Sequence, residues 1–234
     1  EKALREKWSG RIIRVAIENF SLDWLGCDEN YVAVKDIEPD YISQIDIQNN
    51  LISFEGVKFK MPLEGRHNAM NFLMALTVAS ELGVSIKKLD KLNINMPMGR
   101  NRLVDCGKFL VLDETYNASP ESVIASLEVL VTKPGRHFAV LGSMLELGSE
   151  SISLHNKVLR RAVELDLAGI VFVSSGEDIN SIKKIIKKLP NYDLVRTPQD
   201  AARSLLAWIL PGDSILIKGS RKLELEKVLL YLQQ

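Results

Sequence analysis

The hydrophobic pattern of this chain changes period along its length. Between Arg11 and Met61 the apolar residues come in short runs, "RIIRVAI", "YVAVKDI" and "LISFEGVKFKM", divided by Gly, Asn and Asp. That punctuation predicts a small, mostly antiparallel β region. After "LEGRHN" the spacing becomes helical: Ala69, Phe72, Leu73, Leu76, Ala79 and Leu82 share one face, and Gly83 is placed to end the helix. A second helical piece is expected from Ser85 to Leu92. The stretch "NINMPMGRNR", with Pro97 and Gly99, then reads as a connection. It puts a boundary near Asn95 and divides the chain into residues 1–94 and 95–234.

Beyond that connection, apolar runs and helical patterns alternate strictly. The runs are "KFLVLD", "HFAVLG", "GIVFVSS", "YDLVRT" and "DSILIKG", and the helical patterns begin near Ser119, Ser151, Asp178, Pro198 and Arg221. This order predicts an α/β domain, a mostly parallel sheet with helices on both faces. Ligands of such sheets bind outside the carboxyl ends of the strands, at a switch in topology. The candidate loops are therefore Asp113 to Asn117, Gly142 to Gly148, Ser174 to Glu177 and Lys218 to Arg221.

Composition narrows the choice of ligand. The 234 residues carry 30 basic and 30 acidic side chains, so no global field draws nucleic acid or an anionic membrane. Any ligand must be held by a local site. The lysines of "SIKKIIKKL" alternate with Ile182, Ile185, Ile186 and Leu189, the pattern of a solvated helix face. Cys27 and Cys106 are the two cysteines, which argues against a disulfide framework or a zinc site and for a reducing compartment. No run approaches the roughly 18 apolar residues of a membrane span. The opening "EKALREKWSG" reads as the tail of an amphipathic helix, and the chain is expected to be a fragment of a longer, soluble, cytoplasmic protein.

Several loops carry residues with chemistry. In "LDETYNASPES", Ser119 and Pro120 form a helix start and Glu121 suits the positive helix end. That leaves "DETYN" unexplained. A carboxylate at Asp113 can accept from paired ribose hydroxyls, while surface turns also favour Asp and Asn with no ligand. In "GRHNAMN", Asn68 and Asn71 share a helix face and could read an adenine edge beside the ring of His67; equally, Asn68 could cap the helix. Arg100 and Arg102 of "MGRNR" could clamp phosphate, or be ordinary surface arginines. In "IKGSRKLELE", Lys218, Gly219, Ser220 and Arg221 converge at a strand exit, suited to a carboxylate or phosphate or to a plain turn. His155, four residues past Ser151, reads by itself as a packed or solvated side chain. No G-x-G-x-x-G is present, which disfavours a dinucleotide-dependent oxidoreductase, and no G-x-x-x-x-G-K-[ST] phosphate loop is present either.

Taken in order, "GRHNAMN", "MGR", "LDETYNASPES", "LGSMLELGSES" with His155, and "IKGSRKLELEKVL" resemble the Mur ligases of bacterial cell-wall synthesis. The likeness runs from about Leu63 to the end of the chain. The "YNA" turn and "LELG" loop are most similar to the member that adds D-alanyl-D-alanine to UDP-N-acetylmuramoyl-tripeptide. Glu114, Ser119 and Ser143 depart from the family pattern, which usually has Asp, Asn and Asp there. The resemblance implies the end of a central ATPase domain followed by a Rossmann-like C-terminal domain. It also implies ATP and Mg2+ as cofactors of the full-length enzyme, with no tightly bound cofactor in this piece. By the family pattern His67, Asn68, Asn71, Arg100 and Asp113 would hold the nucleotide, and Tyr116, Asn117, Lys218, Ser220 and Arg221 would face the peptide substrates. The phosphate-loop lysine and the magnesium ligands would lie outside this sequence, leaving the piece itself inactive. A non-catalytic nucleotide- or peptide-binding module, or another Mur-type amide ligase, is the alternative.

Overall fold

The computed structural model describes residues 9–18, 38–89, 97–174, 176 and 179–233. The chain forms two compact units, 1–93 and 94–234.

In the first unit a four-stranded sheet is ordered β1-β2-β3-β4, with β1 Val15–Ile17, β2 Tyr41–Asp46, β3 Leu51–Phe54 and β4 Val57–Lys60. β1 runs parallel to β2, and the other pairings are antiparallel. "LISFEGVKFKM" is thus a hairpin rather than one strand. Its two-residue turn, Glu55 and Gly56, has positive φ at both positions, the twist that lets two strands fold back tightly. The register sets Ile52 opposite Phe59, so both side chains enter the same core. Helix α1, Arg66–Glu81, closes that core with Ala69, Phe72, Leu73 and Leu76. Gly83 ends α1 as its sequence position requires: at φ 76° its N–H donates to the Ser80 carbonyl and the N–H of Val84 to that of Ala79.

Two expectations for this unit need correction, and a third is not tested by the described residues. The strand in "RIIRVAI" is confined to its last three residues. Of the second helix, the described residues show a single 3-10 turn, Ile86–Lys88, and Asp90 to Leu92 lie outside them. The run "YVAVKDI" also lies outside the described residues.

The second unit holds a six-stranded sheet in the order β5-β6-β10-β7-β8-β9. The strands are β5 Arg102–Asp105, β6 Leu110–Glu114, β7 His137–Gly142, β8 Gly169–Val173, β9 Asn191–Val195 and β10 Ser214–Lys218. All neighbours are parallel except β5, an antiparallel edge strand on β6. The helices are α2 Pro120–Leu130, α3 Ser151–Glu164, α4 Ile179–Ile186, α5 Pro198–Leu206 and α6 Glu226–Leu232. Helices α5 and α6 cover one face, over Val111, Phe138, Val140, Val171, Ile215 and Ile217. Strands buried on both faces favour apolar residues throughout, which is why β8 reads as the unbroken run "GIVFV" and the middle of β10 as "ILI".

Two starts follow from local chemistry. Ser119 and Ser122 exchange side-chain and backbone hydrogen bonds as a capping box for α2. Thr197 accepts from the N–H of Asp200 to cap α5. The helix expected at Arg221 begins later: a 3-10 turn, Arg221–Leu223, comes first, Glu224 sits at φ 50°, and α6 starts at Glu226. Among the described residues no helix is long and apolar enough to cross a membrane.

Candidate functional site

Strand β10 returns between β6 and β7, so the polar exits of these three strands meet at one edge of the sheet. This is the topological switch where α/β sheets bind ligands. The parallel register sets Lys218 beside Glu114 on one side and Leu141 on the other. Three stretches far apart in sequence, "DETYN", "GSM" and "KGSR", become neighbours.

Lys218 and Glu114 form the charged centre. The Lys218 side chain is 4% exposed and that of Glu114 14%, with Nζ 3.6 Å from Oε2. Nζ also donates to the Asn117 carbonyl at 3.0 Å. Burial pushes the Glu114 carboxyl up against the pull of the Lys218 charge, and burial pushes the Lys218 ammonium down against the pull of Glu114. The centre thus places the Lys218 amine beside the Glu114 carboxyl under the Tyr116–Asn117 turn, largely shielded from solvent.

Asp113 does not present its carboxylate to solvent. It is 2% exposed; Oδ2 accepts from the N–H of Gly99, and Oδ1 from the N–H and hydroxyl of Thr115. The expected ribose acceptor is here a clamp that ties the connection at Gly99 to the end of β6. The N–H of Tyr116 donates to the Gly99 carbonyl, completing the clamp. Gly99 has no substitute in this arrangement: φ is +77°, and a Cβ would lie 2.8 Å from Thr115 Oγ1 and 2.9 Å from the Tyr116 nitrogen. The clamp sets the exposed Arg100 over the ring of Tyr116, its guanidinium carbon 3.9 Å from the centroid. Tyr116 itself is 44% exposed.

Asn117 uses its side-chain oxygen to accept from the N–H of Ala118, shaping the turn into α2. Ser220 is nearly covered, and its hydroxyl oxygen accepts from the N–H of Leu145 at 2.8 Å. Arg221 is exposed and pairs with Glu226 at 3.1 Å. Arg102 lies on edge strand β5, opposite Asp113 in register, and is exposed. The β7 and β10 exits approach closely: a Cβ on Gly219 would lie 2.9 Å from the Gly142 Cα and 2.6 Å from Leu225 Cδ1. Those two glycines make room for Leu223 and Leu225, which the 3-10 turn lays across the strand ends.

His67, Asn68 and Asn71 belong to the first unit, in the opening turns of α1. His67 and Asn68 are half-buried and Asn71 is exposed. Asn68 is not the cap: Gly65 holds that position at φ 100°, and the Asn68 amide donates back to the Glu64 carbonyl. Sequence reasoning brought out Lys218 but not its pairing with Glu114. The signal available was an acid at the end of one apolar run and a lysine at the end of another.

Residues 99–221 match the family model described as Mur ligase, glutamate ligase domain. The match begins at the Gly99 clamp and ends at Arg221. The UDP-N-acetylmuramoyl-tripeptide--D-alanyl-D-alanine ligase of Synechocystis sp. is 34% identical over 192 residues, covering 81% of this chain and 42% of the relative. A crystal structure of MurF from Acinetobacter baumannii superposes with a TM-score of 0.71 at 28% identity, over 83% of this chain and 45% of that one. A MurF ligase from Thermotoga maritima in complex with ADP gives a TM-score of 0.62 at 29% identity, over 78% of this chain and 42% of that one. The chain thus spans about two fifths of the length of the relatives it matches.

Proposed function

This chain belongs to the Mur ligase family, and from that premise we propose that it is part of an ATP-dependent ligase joining D-alanyl-D-alanine to UDP-N-acetylmuramoyl-tripeptide in bacterial peptidoglycan synthesis. The observation that carries the reading is the switch-point cluster of Arg100, Tyr116, Lys218 and Ser220, which lies within the matched segment. Relatives named for this reaction support it. On this proposal residues 1–94 are the end of the central ATP-binding domain and 95–234 the C-terminal domain, acting in the cytoplasm.

The chemistry would run in two steps. The tripeptide carboxylate attacks the γ-phosphorus of ATP and displaces ADP, giving an acyl phosphate. The amine of D-alanyl-D-alanine then attacks the acyl carbon, phosphate leaves with the C–O electron pair, and the amine proton passes to solvent. Both steps develop charge on oxygen, which preorganised cations stabilise. Arg100, exposed and steadied on Tyr116, is suited to phosphate oxygens. Lys218, nearly dry and held by Glu114 and the Asn117 carbonyl, is suited to fix a peptide carboxylate or carbonyl at the Tyr116–Asn117 turn. His67, Asn68 and Asn71 are assigned to the adenine side, Asn117 and Arg221 to the peptide side. Asp113 acts through the clamp, by placing Arg100, rather than on ribose directly. Among the described residues no group of three or more His, Cys, Asp or Glu could hold a metal ion. The magnesium that supports the reaction is assigned to the phosphate-loop part of the protein, where the family resemblance puts its ligands.

The test is phosphate release by the full-length protein given ATP, magnesium and both peptide substrates, beside its variant at the exposed Arg100, Arg100→Ala. Release that requires both peptides and drops in the variant supports the ligase. Release indifferent to the peptides would contradict it.

A further inference from the structure

His155 is 1% exposed, lies outside the cluster assigned to substrates, and is fully engaged. Its Nδ1 lies 2.7 Å from the Ser151 carbonyl, an acceptor only, so Nδ1 carries the proton. Nε2 is then left with its lone pair, and it accepts from the N–H of Met144 at 2.8 Å. The ring stands edge-on to Phe172, with centroids 5.9 Å apart. The next N–H along the loop, that of Leu145, donates to Ser220 Oγ at 2.8 Å. A hydroxyl has one proton to give, and among the described residues that of Ser220 is given to no acceptor. Its oxygen is held by the N–H of Leu145, which leaves its proton for a further acceptor.

We propose that His155 is a positioning residue: by holding the N–H of Met144 it sets Leu145 to anchor the Ser220 oxygen, so that the Ser220 O–H is a fixed donor to a carboxylate or carbonyl of the bound peptide substrate. The proposal rests on the reading of the β10 exit as the peptide side of a ligase. The loop "GSMLELG" has two left-handed residues, Glu146 at φ 66° and Gly148 at φ 58°. In this loop the N–H of Met144 is held by the His155 acceptor, between the N–H groups of Ser143 and Leu145, which donate to the Val173 carbonyl and to Ser220. Losing one hydrogen bond of this kind is worth about a factor of ten in binding.

The experiment is a double-mutant cycle in the full-length protein with His155→Leu, Ser220→Ala and the pair, scored by the KM for each peptide substrate. Hydrogen exchange over residues 143–148 is measured on the same proteins. The expected result is a KM about tenfold higher in His155→Leu for one peptide substrate, but within about twofold of the parent variant when added to Ser220→Ala. His155→Gln, which restores an acceptor, should recover most of the loss. Exchange at Leu145 should quicken in His155→Leu and in Ser220→Ala and stay slow in His155→Gln. Equal KM effects in both backgrounds, or unchanged exchange at Leu145, would overturn the proposal. If His155→Leu does not fold, His155→Asn takes its place in the cycle. Absence of turnover in the unaltered protein would sink the ligase reading instead, and the exchange result would still decide whether His155 holds Ser220.

Discussion

Lys218 Nζ lies 3.6 Å from the Glu114 carboxylate although 104 residues separate them, because the parallel register of β10 on β6 makes them neighbours at the strand ends. Neither charge is cheap to bury, and each is tolerated because of the other.

Removing one partner should therefore cost more than removing both. Lys218→Met is expected to destabilise the second unit by about 3–5 kcal/mol, and the pair Lys218→Met with Glu114→Gln by much less. Chemical denaturation at pH 7 measures both. The pH dependence has a definite sign. Burial raises the Glu114 carboxyl in the folded state, so its ionisation costs stability as pH rises through that raised value. Lys218 opposes the cost, and the penalty of Lys218→Met should grow from acid to neutral pH.

Gly99→Ala should be one of the most damaging small substitutions. The added methyl would meet backbone at 2.9 Å in a left-handed residue, so the Asp113 and Tyr116 hydrogen bonds to Gly99 must yield. A loss of about 2–4 kcal/mol is expected. Thermal melting compares it with Gly107→Ala, where φ is +75° but a Cβ meets nothing within 4 Å. Gly107→Ala carries the backbone strain alone and should cost distinctly less.

The stack of Arg100 on Tyr116 separates ring from hydroxyl. Tyr116→Phe should bind ATP as the unaltered protein does, and Tyr116→Ala about 2- to 5-fold more weakly, the worth of an exposed cation–ring contact. Calorimetric titration of the full-length protein with ATP distinguishes them.

At the opposite end of the sheet, Asp213 supports the turn before β10. Burial resists its ionisation, but the Arg136 guanidinium at 2.7 Å and the N–H groups of Leu210 and Arg136 together hold its carboxyl below the usual range. A depressed carboxyl contributes stability above its unfolded value and loses it as pH falls through the folded one. Asp213→Asn should thus be less stable than the parent at neutral pH, and the gap should close in acid. Urea denaturation across that range tests the sign.

These residues also show what can be read from a sequence of this kind. The parallel strands were legible because burial on both faces favours continuous apolar runs, as in "GIVFV" and the "ILI" of β10. Strand β5 was not, because an edge strand with one buried residue, Val104, carries no such run. The start of α2 was legible from Ser119 and Pro120, since a cap is local chemistry. The late start of α6 was not: Leu223 and Leu225 are drawn over Gly142 and Gly219, a contact between distant segments. Within the site, residue types at the strand exits could be picked out, but not their direction. Asp113 and Tyr116 are three positions apart, yet the first is folded inward onto Gly99 and the second is open to solvent. The link between Glu114 and Lys218 needed the strand order, which periodicity does not supply.

The central claim is an acyl phosphate formed from the substrate carboxylate, and the most direct measurement follows one oxygen atom. UDP-N-acetylmuramoyl-tripeptide labelled with 18O in its reacting carboxylate is turned over with ATP and D-alanyl-D-alanine by the full-length protein, and the released phosphate is analysed by mass. The account predicts one 18O atom carried into each phosphate, because phosphate leaves with the oxygen that attacked ATP. Phosphate free of label would contradict it, since the γ-phosphoryl group would then have gone to water.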